Sequence, residues 1–146
     1  MKVLAYTLPL LAVMMTGAVA DPLAERQELM KERGPLMRVL APIAQGQQPF
    51  DAAVVMDALQ KMNDNAQKTT DVEALWPDGT EGGDTKSAPK IWEDKAGFKA
   101  ASDKFAADAA AAVAASPQDL QSFQAVFGPM SQNCGTCHET FRLRSS

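Results

Sequence analysis

The sequence predicts an all-α fold, an antiparallel up-down-up-down four-helix bundle. Three observations point there. Apolar residues recur at helical spacing in four separate stretches, and no stretch alternates as a half-buried strand would. Turn-forming residues fall between those stretches. In the last stretch Leu120, Phe127, Cys134 and Phe141 are spaced by seven, with Phe123, Met130 and Cys137 between them, so one apolar stripe carries both cysteines of the chain.

The chain begins with Lys2, an apolar run from Val3 to Val13, and Ala18-Val19-Ala20, which reads as a secretory signal peptide over 1–20 with cleavage before Asp21. The apolar stretch is short for a membrane span of about 20 residues. The remaining 126 of the 146 residues make one domain, 21–146. Lys2 is the only charge in the leader, so the whole-chain net of −4 becomes −5 without it. That balance argues against nucleic acid or an anionic membrane as partner, and no second apolar run could span a membrane after cleavage.

The first helix is expected from about Pro22 to Ala44, with a seam of Leu23, Met30, Met37 and Ala44, interleaved with Gln27 and Leu40 or Ala41, facing the bundle. Gly34-Pro35 should interrupt or kink it, because proline removes a helix hydrogen bond and crowds the preceding turn. The second runs from about Asp51 to Lys68 on Ala52, Val55, Met56, Leu59, Met62 and Ala66. Asp71 to Pro89 is too punctuated for regular structure. Its Gly79-Thr80-Glu81-Gly82-Gly83-Asp84 run lacks the ending of a phosphate-binding loop, so a structural loop packing Trp76 on the core is expected. The third helix should run from Ile91 through the alanine-rich stretch to Ala115. Ser116-Pro117-Gln118-Asp119 then supplies a predicted cap, a first-turn proline and an acid to open the fourth. Gly128-Pro129 should bend or loosen that helix.

The fourth helix carries Cys134-Gly135-Thr136-Cys137-His138, eight residues from the C-terminus. Cys-x-x-Cys-His is the attachment signature of a c-type haem. Residues three and four apart share a helix face, so Cys134 and Cys137 can both form thioethers along one haem edge, with His138 turning beneath the ring to ligate the iron. A zinc site would want four ligands, whereas these are the only cysteines and His138 is the only histidine. A redox Cys-x-x-Cys usually follows a strand, and nothing strand-like precedes this one. Covalent haem attachment takes place outside the cytoplasm, in agreement with export to a Gram-negative periplasm.

A single histidine excludes two-histidine ligation within one chain, leaving a methionine, another side chain or nothing as sixth ligand. Beyond the leader the methionines are Met30, Met37, Met56, Met62 and Met130. An antiparallel bundle puts Met30 at the level of His138, with Met37 roughly 10 Å further along the axis. Met130 shares the haem helix and Met56 belongs to the far end. Met30 is the geometric choice, although a methionine on a helix seam is commonly core.

The mature chain resembles the cytochrome c-prime family, the class II c-type cytochromes, along essentially its whole length. The resemblance is carried by Arg26-Gln27, by Gly46-Gln47-Gln48-Pro49-Phe50-Asp51-Ala52-Ala53, by the Gly79 to Asp84 loop, by Ile91-Trp92, and by Cys134-Gly135-Thr136-Cys137-His138 followed by Phe141-Arg142. It implies a left-handed four-helix bundle with one covalent haem c and His138 as solvent-side proximal ligand. It also implies that Arg26 and Gln27 lie near a haem propionate and Arg142 near His138. Arg26-Gln27-Glu28-Leu29-Met30-Lys31 matches the low-spin branch, in which methionine at the position of Met30 ligates iron, so the metal ligands implied are His138 and Met30.

Two functions follow as expectations. A periplasmic electron carrier exchanging with periplasmic redox proteins leads. The alternative is a high-spin protein that binds nitric oxide or carbon monoxide. Enzymatic activity is not expected, since the sequence reveals no distal histidine or arginine placed for peroxide cleavage. Monomer and homodimer are both compatible with the sequence.

Overall fold

The computed structural model describes residues 21–144; the expected signal peptide lies outside them. Four long helices, α1 (Pro22–Ala44), α2 (Ala52–Lys68), α5 (Lys95–Ala115) and α6 (Leu120–Phe141), form the bundle, with one-turn helices α3 (Val72–Leu75) and α4 (Lys90–Glu93) in the connection between α2 and α5. Neighbours pack in the order α1–α2–α5–α6, and the α1–α6 seam that closes the ring is the most sparsely packed. No strand occurs among the described residues; an isolated bridge joins Ser87 to Arg142.

Each long helix starts where a side chain satisfies free backbone donors. Asp21 caps α1, Asp51 caps α2 through Ala53 and Val54, and Asp94 caps α5 through Gly97. The expected single third helix is therefore two. Asp94 leaves helical geometry at φ −139° to cap the second segment, and a Cβ at Gly97 would stand 2.5 Å from its carboxylate. The opening of the fourth helix also differs from expectation. Ser116 ends α5 in left-handed geometry at φ 43°. The cap of α6 is Asp119, whose carboxylate accepts from the Ser122 N–H while the Ser122 hydroxyl receives the Asp119 N–H.

The prolines interrupt nothing. α1 runs through Pro35 and Pro42, and α6 runs through Pro129. The carbonyls they leave without an N–H partner belong to Lys31, Arg38 and Ala125, all exposed residues, so water can take the place of the missing donors.

The core has two parts. At the end remote from the cysteines, Leu40, Ile43, Val55, Leu59, Met62, Phe123 and Met130 form a dense cluster. At the cysteine end Leu29, Val72, Leu75, Trp76, Ile91, Phe98 and Phe141 form a second. As expected, Trp76 packs inward: it is 4% exposed and meets Phe98 edge-on at 4.6 Å. The expected α1 seam requires correction. Leu40 is fully buried and Met37, Ala41 and Ala44 pack against the core as expected, but Met30 faces a cavity, which Met37 also borders, and Arg26, Leu29 and Ile43, outside the expected seam, are turned fully inward.

Candidate functional site

The cavity lies on the α1–α6 seam and has a volume of about 640 Å³, within the roughly 300–1,000 Å³ usual for cofactor sites. The apolar stripe of α6 leads straight into it: Phe123, Phe127 and Met130 are core, and about one, two and three turns later the same face brings Cys134, Cys137 and Phe141 to the wall. Every residue expected at the site, Arg26, Gln27, Met30, Cys134, Cys137, His138 and Arg142, lines this one cavity.

Burial pushes the Cys134 and Cys137 thiols up from their ordinary value, opposed by the nearby Arg33 charge. They are therefore thiols rather than a reactive thiolate pair. Burial, then the charges of Arg142 and Arg33, lower the pKa of His138, favouring the neutral imidazole that can ligate a metal. Among the described residues no three His, Cys, Asp or Glu side chains converge on a common metal position.

The loop expected to be structural builds the rim. Arg26, 3% exposed, donates to the Leu75 carbonyl at 3.3 Å and to the Thr80 hydroxyl and carbonyl at 3.1 and 3.0 Å. Gln27 donates to the Asp84 carbonyl, and Gly83 lies against Leu23. Beyond the loop, Ala88 N–H donates to the Phe141 carbonyl at 2.9 Å and Leu143 N–H to the Lys86 carbonyl at 2.8 Å, tying the end of α6 to the same rim.

Sequence reasoning missed Arg33. It lines the cavity one turn along α1 from Met30. Nε donates to Asn65 Oδ1 at 2.6 Å and Nη2 to Thr69 Oγ1 at 3.0 Å, while Nη1 lies 3.8 Å from Met30 Sδ. The guanidinium sits 4.6 Å over the Phe105 ring. The available signal was position: Arg26, Met30 and Arg33 follow at helical spacing, so a cavity wall that takes Met30 takes Arg33 as well. The aromatic walls, Trp76, Phe98 and Phe105, were legible only as core.

These residues fit a haem. Two thiols three apart and an adjacent imidazole converge on an apolar cavity of the right size, and Arg26 Nε is buried with no hydrogen-bond partner among the described residues, as expected where an acceptor from a cofactor belongs. The family model described as Cytochrome C' matches residues 21–142. The chain belongs to that family. A cytochrome c' from Rhodopseudomonas palustris is 39% identical over the full length of both proteins. A cytochrome c-556 from Agrobacterium fabrum is 38% identical, covering 88% of this chain and 86% of the relative. The solved structure of cytochrome c' from Rhodopseudomonas palustris matches with a TM-score of 0.78 at 38% identity, over 87% of this chain and 99% of that one. Cytochrome c' and c-556 proteins are class II c-type cytochromes with four-helix bundles, and haem c is the cofactor of this chain.

Proposed function

We propose that this member of the cytochrome c' family is a periplasmic electron carrier with a low-spin haem ligated by His138 and Met30. One observation carries the reading. Of the methionines beyond the leader, Met62 and Met130 are 1% exposed within the remote core, and Met37 and Met56 pack against it. Met30 alone belongs to neither apolar cluster and opens onto the cavity, 38% exposed. A thioether left out of the core, on the cavity wall shared with His138, is free to ligate.

Bound there, the haem iron would supply one-electron exchange, with methionine ligation favouring the ferrous state. Cys134 and Cys137 would hold the ring by thioethers. His138 would ligate from the solvent side, where it is exposed, so that electrons have a short way out. Trp76, Phe98 and Phe105 give the cavity aromatic walls against which the ring would pack, and Arg26, Gln27 and Arg142 would receive the propionates and the proximal edge. No helix among the described residues is long and apolar enough to cross a membrane, and the leader directs the chain to the periplasm. Redox proteins of that compartment are the partners.

The family's two named kinds favour one rival, binding of nitric oxide or carbon monoxide at an open sixth position, since relatives named cytochrome c' and cytochrome c-556 match about equally. Spectra of the purified protein decide. Low-spin signals in both oxidation states, the weak far-red ferric band of an iron–sulfur bond, and slow or weak carbon monoxide uptake by the ferrous form are expected. High-spin spectra with rapid uptake would replace the electron carrier by the gas binder.

A further inference from the structure

We propose that Arg33 is a fixed cation on the Met30 side of the cavity that makes the sixth position a selective site for small anions once Met30 is displaced. The inference rests on the reading of Met30 as distal ligand.

The guanidinium is clamped on three sides. Asn65 and Thr69 of the α2 end take Nε and Nη2, and Phe105 of α5 lies beneath the plane. The clamps are themselves fixed. Asn65, 3% exposed, donates to the Leu29 carbonyl at 3.0 Å and to Glu32 Oε2 at 2.8 Å. Thr69, also 3% exposed, donates to the Ala66 carbonyl at 2.8 Å. Arg33 forms no ion pair among the described residues, because Glu32, the nearest acid in sequence, is engaged by the Asn65 amide instead.

The remaining nitrogen, Nη1, has only the thioether sulfur of Met30, at 3.8 Å, a weak acceptor. A nitrogen donor of a charged group thus stands against the place Met30 occupies. An anion taking that place exchanges a poor acceptor for charge-assisted hydrogen bonds, and in a cavity walled by aromatic rings the attraction is little screened. A neutral ligand gains neither. The cysteines offer no competing charge, since thioethers are uncharged.

The test uses ferric, haem-loaded Met30→Ala protein titrated by absorption with sodium azide and, at about pH 8 where it is largely neutral, imidazole. Adding Arg33→Gln should raise the azide Kd about tenfold or more while moving the imidazole Kd less than about threefold. Arg33→Lys, which retains the charge, should keep most of the azide affinity. Equal shifts for both ligands, no shift for azide, or an azide loss with lysine as large as with glutamine would each overturn the proposal. If Arg33→Gln does not load haem, the lysine variant decides: retained preference for azide supports the cation and lost preference refutes it. The underlying reading fails separately, when Met30→Ala leaves the ferric spectrum unchanged. The same titrations in the wild-type background then judge Arg33 alone.

Discussion

Preventing haem attachment should unfold one end of this bundle and spare the other. The perturbation is the Cys134→Ala/Cys137→Ala double variant, prepared without haem. At roughly 24 cal/mol per Å³ of void, keeping the cavity of about 640 Å³ empty and dry would cost on the order of 15 kcal/mol. Water entering through the mouth reduces that figure. Even about a third of it matches the lower end of a small domain's stability, roughly 5–15 kcal/mol. The native cavity therefore cannot persist without its occupant. What yields is set by the two-part core. Trp76, Ile91, Phe98 and Phe141 wall the cavity and lose their support. Leu40, Val55, Leu59, Met62, Phe123 and Met130 pack on one another at the remote end. Hydrogen exchange followed by mass spectrometry should show strong protection retained around Val55–Ala66 and Phe123–Met130 and lost over residues 72–98 and 134–143. Both tryptophans, Trp76 and Trp92, lie at the yielding end, so their emission should shift toward that of exposed indole. Uniform protection and a sharp cooperative melt in the haem-free variant would show that the bundle closes without its cofactor.

Three further outcomes are expected. Met30→Ala should convert the iron to a high-spin or water-ligated form at little packing cost, since the side chain is 38% exposed, whereas Met62→Ala should leave the spectrum alone and lower stability by about 2–5 kcal/mol; absorption and thermal melts read both. Hydrogen bonds from Lys104 and then Asn133 hold the Asp108 carboxyl below its ordinary value of 3.8, so its stabilisation is full above that pH and lost as pH falls through the lowered value; Asp108→Asn should flatten the stability profile in that acid range, measured by denaturant titration at stepped pH. Ser116→Gly should raise stability by about 0.5–1 kcal/mol by relieving a side chain from the left-handed region at φ 43°, and a loss of stability there would show that the Ser116 side chain matters more than its backbone.

The fold was legible because its main signals are local. Asp51 caps α2 as its position ahead of an apolar stripe suggests, and the sevenfold spacing from Leu120 to Phe141 needs only one helix to be read. The errors came where two local signals compete. Ser116-Pro117 and Asp119-Leu120-Gln121-Ser122 both resemble helix starts, and the reciprocal Asp119–Ser122 pair wins because it satisfies donors at both ends. Asp94 was hidden inside a run of good helix formers, where only Gly97, three residues on, marked room for its carboxylate. The expected seam of α1 presupposes a solid bundle. A periodic methionine row looks the same whether it faces core or cavity, so Met30 and Met37 could be placed on a face but not told from Leu40. Arg33 escaped for the complementary reason. A charged residue on a helix is read as solvent-facing, and its burial depends on Asn65, Thr69 and Phe105, which lie 32 to 72 residues away in sequence and reach it only through tertiary packing.

The ties between Lys86–Ala88 and Phe141–Leu143 give the fold a chronology. A chain made from its N-terminus presents α1, α2 and the rim loop before their closing partner emerges. Loop closures over such separations are entropically slow. Until then Met30 and Arg26 stand on a helix with one side unfinished. Thioether formation at Cys134 and Cys137 and the final backbone stitches beside them therefore fall at the same late moment, a few residues apart. A chain that misses its haem would therefore have both its cavity and these backbone ties to close at the same end of the bundle.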